Sequence, residues 1–164
     1  MSHTATTWAQ PVPTLFRELI DGPDDTAAWM LNSGDAGLLR SLDKLCAAAA
    51  SAAPAAGGAS IAAHVDHLRF GLSLMNRWSR GEPDPWSGAD WIASWRLAAV
   101  SDQEWVALRQ ALRAEARAWL DALHSPRECS EFELTGVISS VGHLAYHLGA
   151  IRQIDRSASG PAAG

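Results

Sequence analysis

The sequence predicts an all-α protein built as a four-helix bundle. Its 164 residues suit one ordinary domain, and a hydrophobic content of 48% is enough for a packed core. Apolar residues recur at helical spacing in four long stretches, and no stretch shows the strand alternation that hairpin turns would bound. We therefore expect a single domain over residues 1–164, with its core at about 36–156.

The predicted helices are marked by their caps. They cover about residues 37–51, 61–80, 102–124 and 136–156. A short amphipathic segment at about 13–21 precedes them. Ser60 is the expected N-cap of the second helix, and Ser101 forms a capping box with Glu104 before the third. Thr135 is the expected N-cap of the fourth.

The connection between the second and third helices is long. About twenty residues separate them, far more than a tight turn between neighbouring helices needs. A connection of that length can run along the bundle and let these two helices lie parallel, in the order up-down-down-up. This crossover contains Trp86, Trp91 and Trp95. Their indoles either seal the crossover against the bundle or line the mouth of a pocket.

Charge and cysteine content exclude several classes of protein. A net charge of −5 disfavours a basic surface for nucleic acid. Cys46 and Cys129 do not make a disulfide framework and are expected to be reduced thiols. No apolar run reaches the 18 or so residues of a membrane span, and residues 1–7 lack the features of a secretion signal. We therefore expect a cytoplasmic protein that binds neither nucleic acid nor membranes.

Four of the six histidines fall in two short helical stretches. His143 and His147 are four residues apart and lie on the same side of the fourth helix. His64 and His67 lie opposite the polar arc of the second helix, among its apolar residues. Helical phase therefore directs all four imidazoles toward the interior. A divalent metal would offset the cost of burying them, about 1–3 kcal/mol for each unsatisfied polar group.

A metal with nitrogen ligands usually needs at least three of them. His143 and His147 would supply two, and either His64 or His67 the third; phase puts His64 closer to the centre of the inward face. Three neutral imidazoles leave positions open for water, whose pKa the metal lowers, or for a thiolate. Glu115 lies near the apolar stripe of the third helix. It either joins the site, as a ligand or by orienting one, or lies at the edge of a solvated face.

Two motifs resemble those of the DinB-like superfamily of bacterial four-helix proteins, which includes YfiT-like metal-dependent hydrolases. One is Ser60-Ile-Ala-Ala-His-Val-Asp-His-Leu68 at the start of the second helix. The other is Gly142-His-Leu-Ala-Tyr-His-Leu-Gly-Ala-Ile-Arg-Gln-Ile154 near the end of the chain. The order of the elements and the long crossover agree too, so the resemblance covers about residues 36–156.

The resemblance implies a divalent metal, nickel or zinc, bound by one histidine of the second helix and the pair of the fourth. By position the family ligand is His67, which precedes Leu68; His64 then supports a ligand or substitutes for one. The resemblance also implies a hydrolase, or a transferase that uses a low-molecular-weight thiol such as bacillithiol or mycothiol, and a homodimer. The competing function class is a non-catalytic, stress-related or structural bundle in which any metal only stabilises or senses.

Overall fold

The regular elements among the described residues are all α-helices or short 3₁₀ turns, so the all-α prediction is confirmed. The computed structural model describes residues 10–55, 57–125 and 128–162. The helices are α1 (Pro11–Asp21), α2 (Gly37–Asp43), α3 (Ala47–Ser51), α4 (Ile61–Ser79), α5 (Asp102–Leu123) and α6 (Glu131–Ile154). The prediction that the chain has no secretion signal concerns residues 1–7, which lie outside the described residues.

The second and third predicted helices, α4 and α5, begin at the predicted caps. The hydroxyl oxygen of Ser60 accepts the backbone N–H of Ala63 at 3.3 Å. At the start of α5, the N–H of Glu104 donates to Ser101 Oγ at 3.3 Å, and the N–H of Ser101 donates to Glu104 Oε2 at 2.7 Å. Both orphan donors of this capping box are satisfied, which fixes where the helix starts.

The first predicted helix, over residues 37–51, is wrong as a single element. It is divided into α2 and α3, and Cys46 between them has an extended backbone. The indole N–H of Trp105 donates to the backbone carbonyl oxygen of Leu45 at 2.8 Å. The backbone N–H of Ala49 donates instead to Cys46 Sγ at 3.5 Å. A continuous helix would pair that carbonyl with that N–H, so the indole contact replaces the helical hydrogen bond.

The fourth predicted helix starts earlier than its sequence pattern suggested, and Thr135 is not its N-cap. Ser130 caps α6 through a second capping box, in which its N–H donates to Glu133 Oε2 at 2.7 Å. Thr135 lies inside the first turns, where its hydroxyl donates to the carbonyl oxygen of Glu131 at 2.8 Å. The acidic residues of this first turn also suit the positive end of the helix dipole.

The hydrophobic core includes the N-terminal helix. Phe16, Leu19 and Ile20 of α1 are fully buried, and α1 packs against α2, α5 and α6. The core therefore begins upstream of residue 36. On the other side of the bundle α4 packs against both α5 and α6. This contact between α4 and α6 brings the two histidine pairs together.

The crossover from α4 to α5 lies against α4 through a 3₁₀ turn at Ala93–Trp95. No helix in the described ranges combines the length and the apolar character that crossing a membrane requires.

Candidate metal centre

Four imidazoles meet where α4 packs against α6. His64 contacts His147, and His67 contacts His143. Three of the rings belong to buried residues, and His143 is half-buried. The structure therefore places all four histidines inside the bundle, as helical phase predicted.

Three ring nitrogens converge in this cluster. Nε2 of His143 lies 3.1 Å from Nε2 of His67 and 3.0 Å from Nε2 of His147. Nitrogens bound at about 2.0–2.1 Å to one zinc ion are separated by roughly 2.8–3.4 Å, depending on the coordination geometry. The measured spacings fall in that range. The three residues thus form a group that could hold a metal ion.

Ser94 fixes the tautomer of His67. Its hydroxyl donates to the carbonyl oxygen of Trp91 at 2.7 Å. A serine hydroxyl has one proton, so in its other contact, at 2.7 Å, Nδ1 of His67 donates to Ser94 Oγ. With its proton on Nδ1, the neutral ring of His67 presents the lone pair of Nε2 to the cluster. A metal ligand requires this arrangement.

His64 lies behind His147 rather than among the three converging nitrogens. The Nδ1 atoms of the two rings are 2.8 Å apart, so one ring donates a hydrogen bond to the other. When His147 is the donor, its Nε2 carries a lone pair, as Nε2 of His67 does. The geometry thus brings His67 to the pair on α6 and sets His64 against the outer nitrogen of one member of that pair.

Burial keeps the cluster neutral. Burial first, and then repulsion from the three neighbouring histidines, lowers the pKa of His147 to about 3. Burial and then repulsion from His143 and His64 lower the pKa of His67 to about 4. Burial also lowers the pKa of His64 and of His143 from the ordinary value of 6.5. All four rings are therefore neutral at pH 7, the state in which imidazole binds divalent metals.

The crossover covers one side of the cluster. The indole of Trp95 stacks on the ring of His67, with centroids 4.1 Å apart and 23° between the planes. The ring centroid of Trp91 lies 5.6 Å from that of His67. Both indoles remain about a third exposed, at 36% for Trp95 and 39% for Trp91. Trp95 therefore shields the ring of His67 from solvent on this side, which matches the sealing role considered for the crossover.

A cavity of about 310 Å³ adjoins the cluster. It is lined by residues of α4, α6 and the crossover, and the ring of His143 forms part of its wall. Trp86 and Trp91 line it as well, so the second role considered for the crossover indoles, lining a pocket, holds for these two. The cavity brings a space of ligand size directly to one of the converging imidazoles.

Glu115 is not brought to the imidazoles. Its carboxylate accepts the side-chain amide of Asn76 at 2.6 Å, and its backbone carbonyl accepts the same amide at 2.9 Å. Asn76 is nine residues beyond His67 on α4, about 13 Å along the helix axis. The group formed by His67, His143 and His147 contains no carboxylate or thiol from the described part of the chain.

Ser94 is the residue of this site that the sequence did not indicate. It is buried in the 3₁₀ turn of the crossover, 27 residues away from His67 along the chain. No helical or strand periodicity applies to such a segment, so the sequence offers no phase from which to place its side chains. The three crossover tryptophans mark a segment that packs on the bundle, but they do not single out the serine between them.

Comparison with known proteins identifies the family. No curated protein and no solved structure matches the chain significantly. The family model of the DinB superfamily matches residues 30–151, well over half of the 164 residues. The matched range contains both histidine pairs and the whole crossover. The resemblance drawn from the two histidine motifs is thereby confirmed, and the chain belongs to the DinB superfamily.

Proposed function

We propose that the protein is an enzyme that depends on a divalent metal held by Nε2 of His67, His143 and His147. The observation that carries this proposal is the convergence of the three nitrogens, with spacings of 3.1 and 3.0 Å about His143. Two of the three rings also bond through their outer nitrogens, one to Ser94 and one to His64. Such outer contacts orient ligand histidines and set their tautomers.

We propose nickel or zinc as the ion, because neutral imidazoles suit both. Among the described residues, neither Cys46 nor Cys129 belongs to the ligand group, so a thiol bound to the ion would come from a small molecule. When bound, the ion would supply a Lewis-acid centre that acidifies water or a thiol. The three histidines would hold the ion, the indole of Trp95 would cover the His67 side of the site, and the cavity would lie on the His143 side.

The reaction we propose is either a hydrolysis or a transfer that uses a low-molecular-weight thiol. Three imidazoles leave coordination positions free for a further group. The cavity of about 310 Å³ is lined by His143, one of the three proposed ligands, so a small molecule bound there would lie next to the site. The alternative is a non-catalytic bundle in which the metal stabilises or senses, and the adjoining cavity favours the enzyme over it.

We infer that α4, α5 and α6 follow the order expected for the last three helices of an up-down-down-up bundle. Asn76 of α4 contacts Glu115 of α5, and Trp78, later in α4, contacts Trp119, later in α5. Later residues of one helix thus contact later residues of the other, which supports a parallel pair. Between α4 and α6 the order is reversed, because the earlier histidine of α4, His64, contacts the later histidine of α6, His147. This supports an antiparallel pair.

We further propose that the protein acts on small molecules in the cytoplasm as a homodimer. The free cysteines Cys46 and Cys129 support a reducing compartment. The net charge of −5 disfavours nucleic acid as a partner. Light scattering of the purified protein tests the homodimer directly.

The metal content of protein made without a polyhistidine tag tests the proposed site. We expect about one equivalent of nickel or zinc per chain after dialysis against metal-free buffer. Elemental analysis by mass spectrometry measures it, and treatment with a strong chelator should remove it. Binding below about a tenth of an equivalent after incubation with either metal would contradict the proposal.

Substitution of the ion by Co²⁺ distinguishes the enzyme from the structural alternative. The visible absorption of Co²⁺ depends on the number and type of its ligands. We expect a small thiol, added to the Co²⁺ protein, to change this absorption because a coordination position is free. An unchanged spectrum at high thiol concentration would indicate a closed coordination shell and favour the non-catalytic alternative.

Ser94→Ala should lower the affinity for zinc about 10- to 100-fold, because the Nδ1 proton of His67 loses its acceptor and the ring loses its orientation. Titration calorimetry with a competing chelator measures the change. Ser87→Ala is the matched control, since Ser87 lies exposed in the same crossover and its hydroxyl donates to the carbonyl oxygen of Asp84 at 3.3 Å. Equal losses in the two variants would mean that Ser94 has no specific role.

A further inference from the structure

The cavity beside His143 has a wall without charge. Leu68, Leu72 and Met75 of α4 contribute apolar side chains, and the indoles of Trp86 and Trp91 come from the crossover. None of the described residues that line the cavity is Asp, Glu, Lys or Arg. A carboxylate or ammonium that entered would lose part of its hydration without gaining a charged partner, which is unfavourable.

The polar groups of the wall are few. The hydroxyl of Ser140 donates to the carbonyl oxygen of Val137 at 2.6 Å and accepts the indole N–H of Trp119 at 3.0 Å, so its proton is committed. Ser139 also lines the cavity and is exposed to solvent. The indoles of Trp86 and Trp91 carry N–H donors, and His143 is the remaining polar residue of the wall, whose ring can meet a polar atom of a bound ligand.

The free nitrogen of His143 is Nδ1. Both hydrogen-bond contacts of this ring are made through Nε2, and no described residue bonds to Nδ1. Nδ1 lies 3.6 Å from the position that a Cβ would take on Gly71, which is another residue of the cavity wall. When Nε2 binds a metal, the neutral ring carries its proton on Nδ1. The cavity then presents a hydrogen-bond donor within an apolar wall.

We propose that this cavity binds an uncharged, mostly apolar small molecule whose acceptor atom, such as the carbonyl oxygen of an ester, amide or ketone, meets Nδ1–H of His143. The volume of about 310 Å³ suits a small ligand, since ligand pockets span about 300–1,000 Å³. The position of the donor rests on the proposed function, because the metal sets the tautomer. The uncharged, apolar character of the ligand rests on the cavity wall alone.

Three probes of similar size separate charge from hydrogen bonding: acetophenone, ethylbenzene and benzoate. In titrations of the metal-free protein followed by nuclear magnetic resonance, we expect both uncharged probes to bind and benzoate to bind at least about 10-fold more weakly. In the zinc form we expect acetophenone to bind about fivefold more tightly than ethylbenzene, because it accepts the bond from His143. The shifted signals should belong to residues of the cavity wall.

Two matched variants of α6 test the location of the binding site. A Cβ at Gly136 or at Gly149 meets no atom within 4 Å, so leucine fits the backbone at both positions. Gly136 lines the cavity, whereas Gly149 is exposed and does not line it. We expect Gly136→Leu to abolish acetophenone binding while zinc still binds, and Gly149→Leu to leave both intact.

The outcomes separate this inference from the proposed function. Acetophenone binding that survives Gly136→Leu, or benzoate binding as tightly as acetophenone to the metal-free protein, would overturn the inference. Zinc binding without acetophenone binding would overturn it and leave the metal site standing. Equal affinities of acetophenone and ethylbenzene for the zinc form would remove the role of His143. Acetophenone in the cavity of a protein that binds no zinc would support the ligand class and contradict the proposed metal site.

Discussion

Replacement of His143 by alanine should lower the affinity for nickel or zinc at least about 100-fold, because loss of a residue that only supports a ligand already costs about 10- to 100-fold. Nε2 of His143 lies within 3.1 Å of Nε2 of both His67 and His147. The substitution therefore removes the one nitrogen that lies next to both of the other two ligand nitrogens. Zinc titration of the tag-free variant against a competing chelator measures the loss.

His124→Ala is the matched control for this substitution. His124 caps the C-terminal end of α5, where its Nδ1 donates to the carbonyl oxygen of Leu120 at 2.8 Å. The variant therefore removes a histidine that takes no part in the cluster. Circular dichroism verifies that both variants remain helical. Full zinc occupancy in His143→Ala, or an equal loss in His124→Ala, would contradict the three-histidine site.

The histidine pairs could be found from the sequence because helices are periodic. Spacing and helical phase predicted that both pairs face the interior, and the structure places the two pairs in contact with each other. Phase could not decide between His64 and His67, since both face the interior, and it slightly favoured His64. The choice depends on how α4 is rotated and shifted against α6, which only the packing of the two helices determines. In the structure it is Nε2 of His67 that lies beside Nε2 of His143.

Prediction from the sequence failed where a distant contact competes with a local pattern. The apolar spacing of residues 37–51 continues through Leu45, whose carbonyl is bound by Trp105, 60 residues further along the chain. Ser94 likewise meets His67 only after the crossover has folded back onto α4. The start of α6 was a different error. The capping box at Ser130 is local and visible in the sequence, but Thr135 lay closer to the apolar run.

The metal-free protein should lose stability in mild acid. In the folded state the pKa of His147 is about 3 and that of His67 about 4, whereas both rings titrate near 6.5 in the unfolded chain. Between these values the unfolded chain binds more protons than the folded protein, so the free energy of unfolding falls as the pH falls. The stability that these neutral rings contribute is complete above pH 6.5 and is lost as the pH drops toward 4 and 3.

Linkage sets the scale of this loss at about 1.4 kcal/mol per pH unit for each proton that only the unfolded chain binds. The half-buried His143 leaves the cluster partly open to solvent, which screens the charges and reduces the effect. We therefore expect the free energy of unfolding to fall by about 2–3 kcal/mol between pH 7 and pH 4.5. Urea denaturation of the metal-free protein at each pH measures the change.

His147→Gln identifies the groups responsible. Glutamine does not titrate, and its amide can still bond to Nδ1 of His64, which contacts Nδ1 of His147 in the native protein. We expect the variant to lose about half as much stability as the native protein over the same pH range, because one of the two most strongly shifted rings is gone. Zinc should make the native protein more pH-sensitive, since protons compete with the ion for the same nitrogens. If His147→Gln lost as much unfolding free energy between pH 7 and pH 4.5 as the native protein, the titration would belong to other groups. That result would contradict the prediction that the histidine cluster is neutral and able to bind a metal.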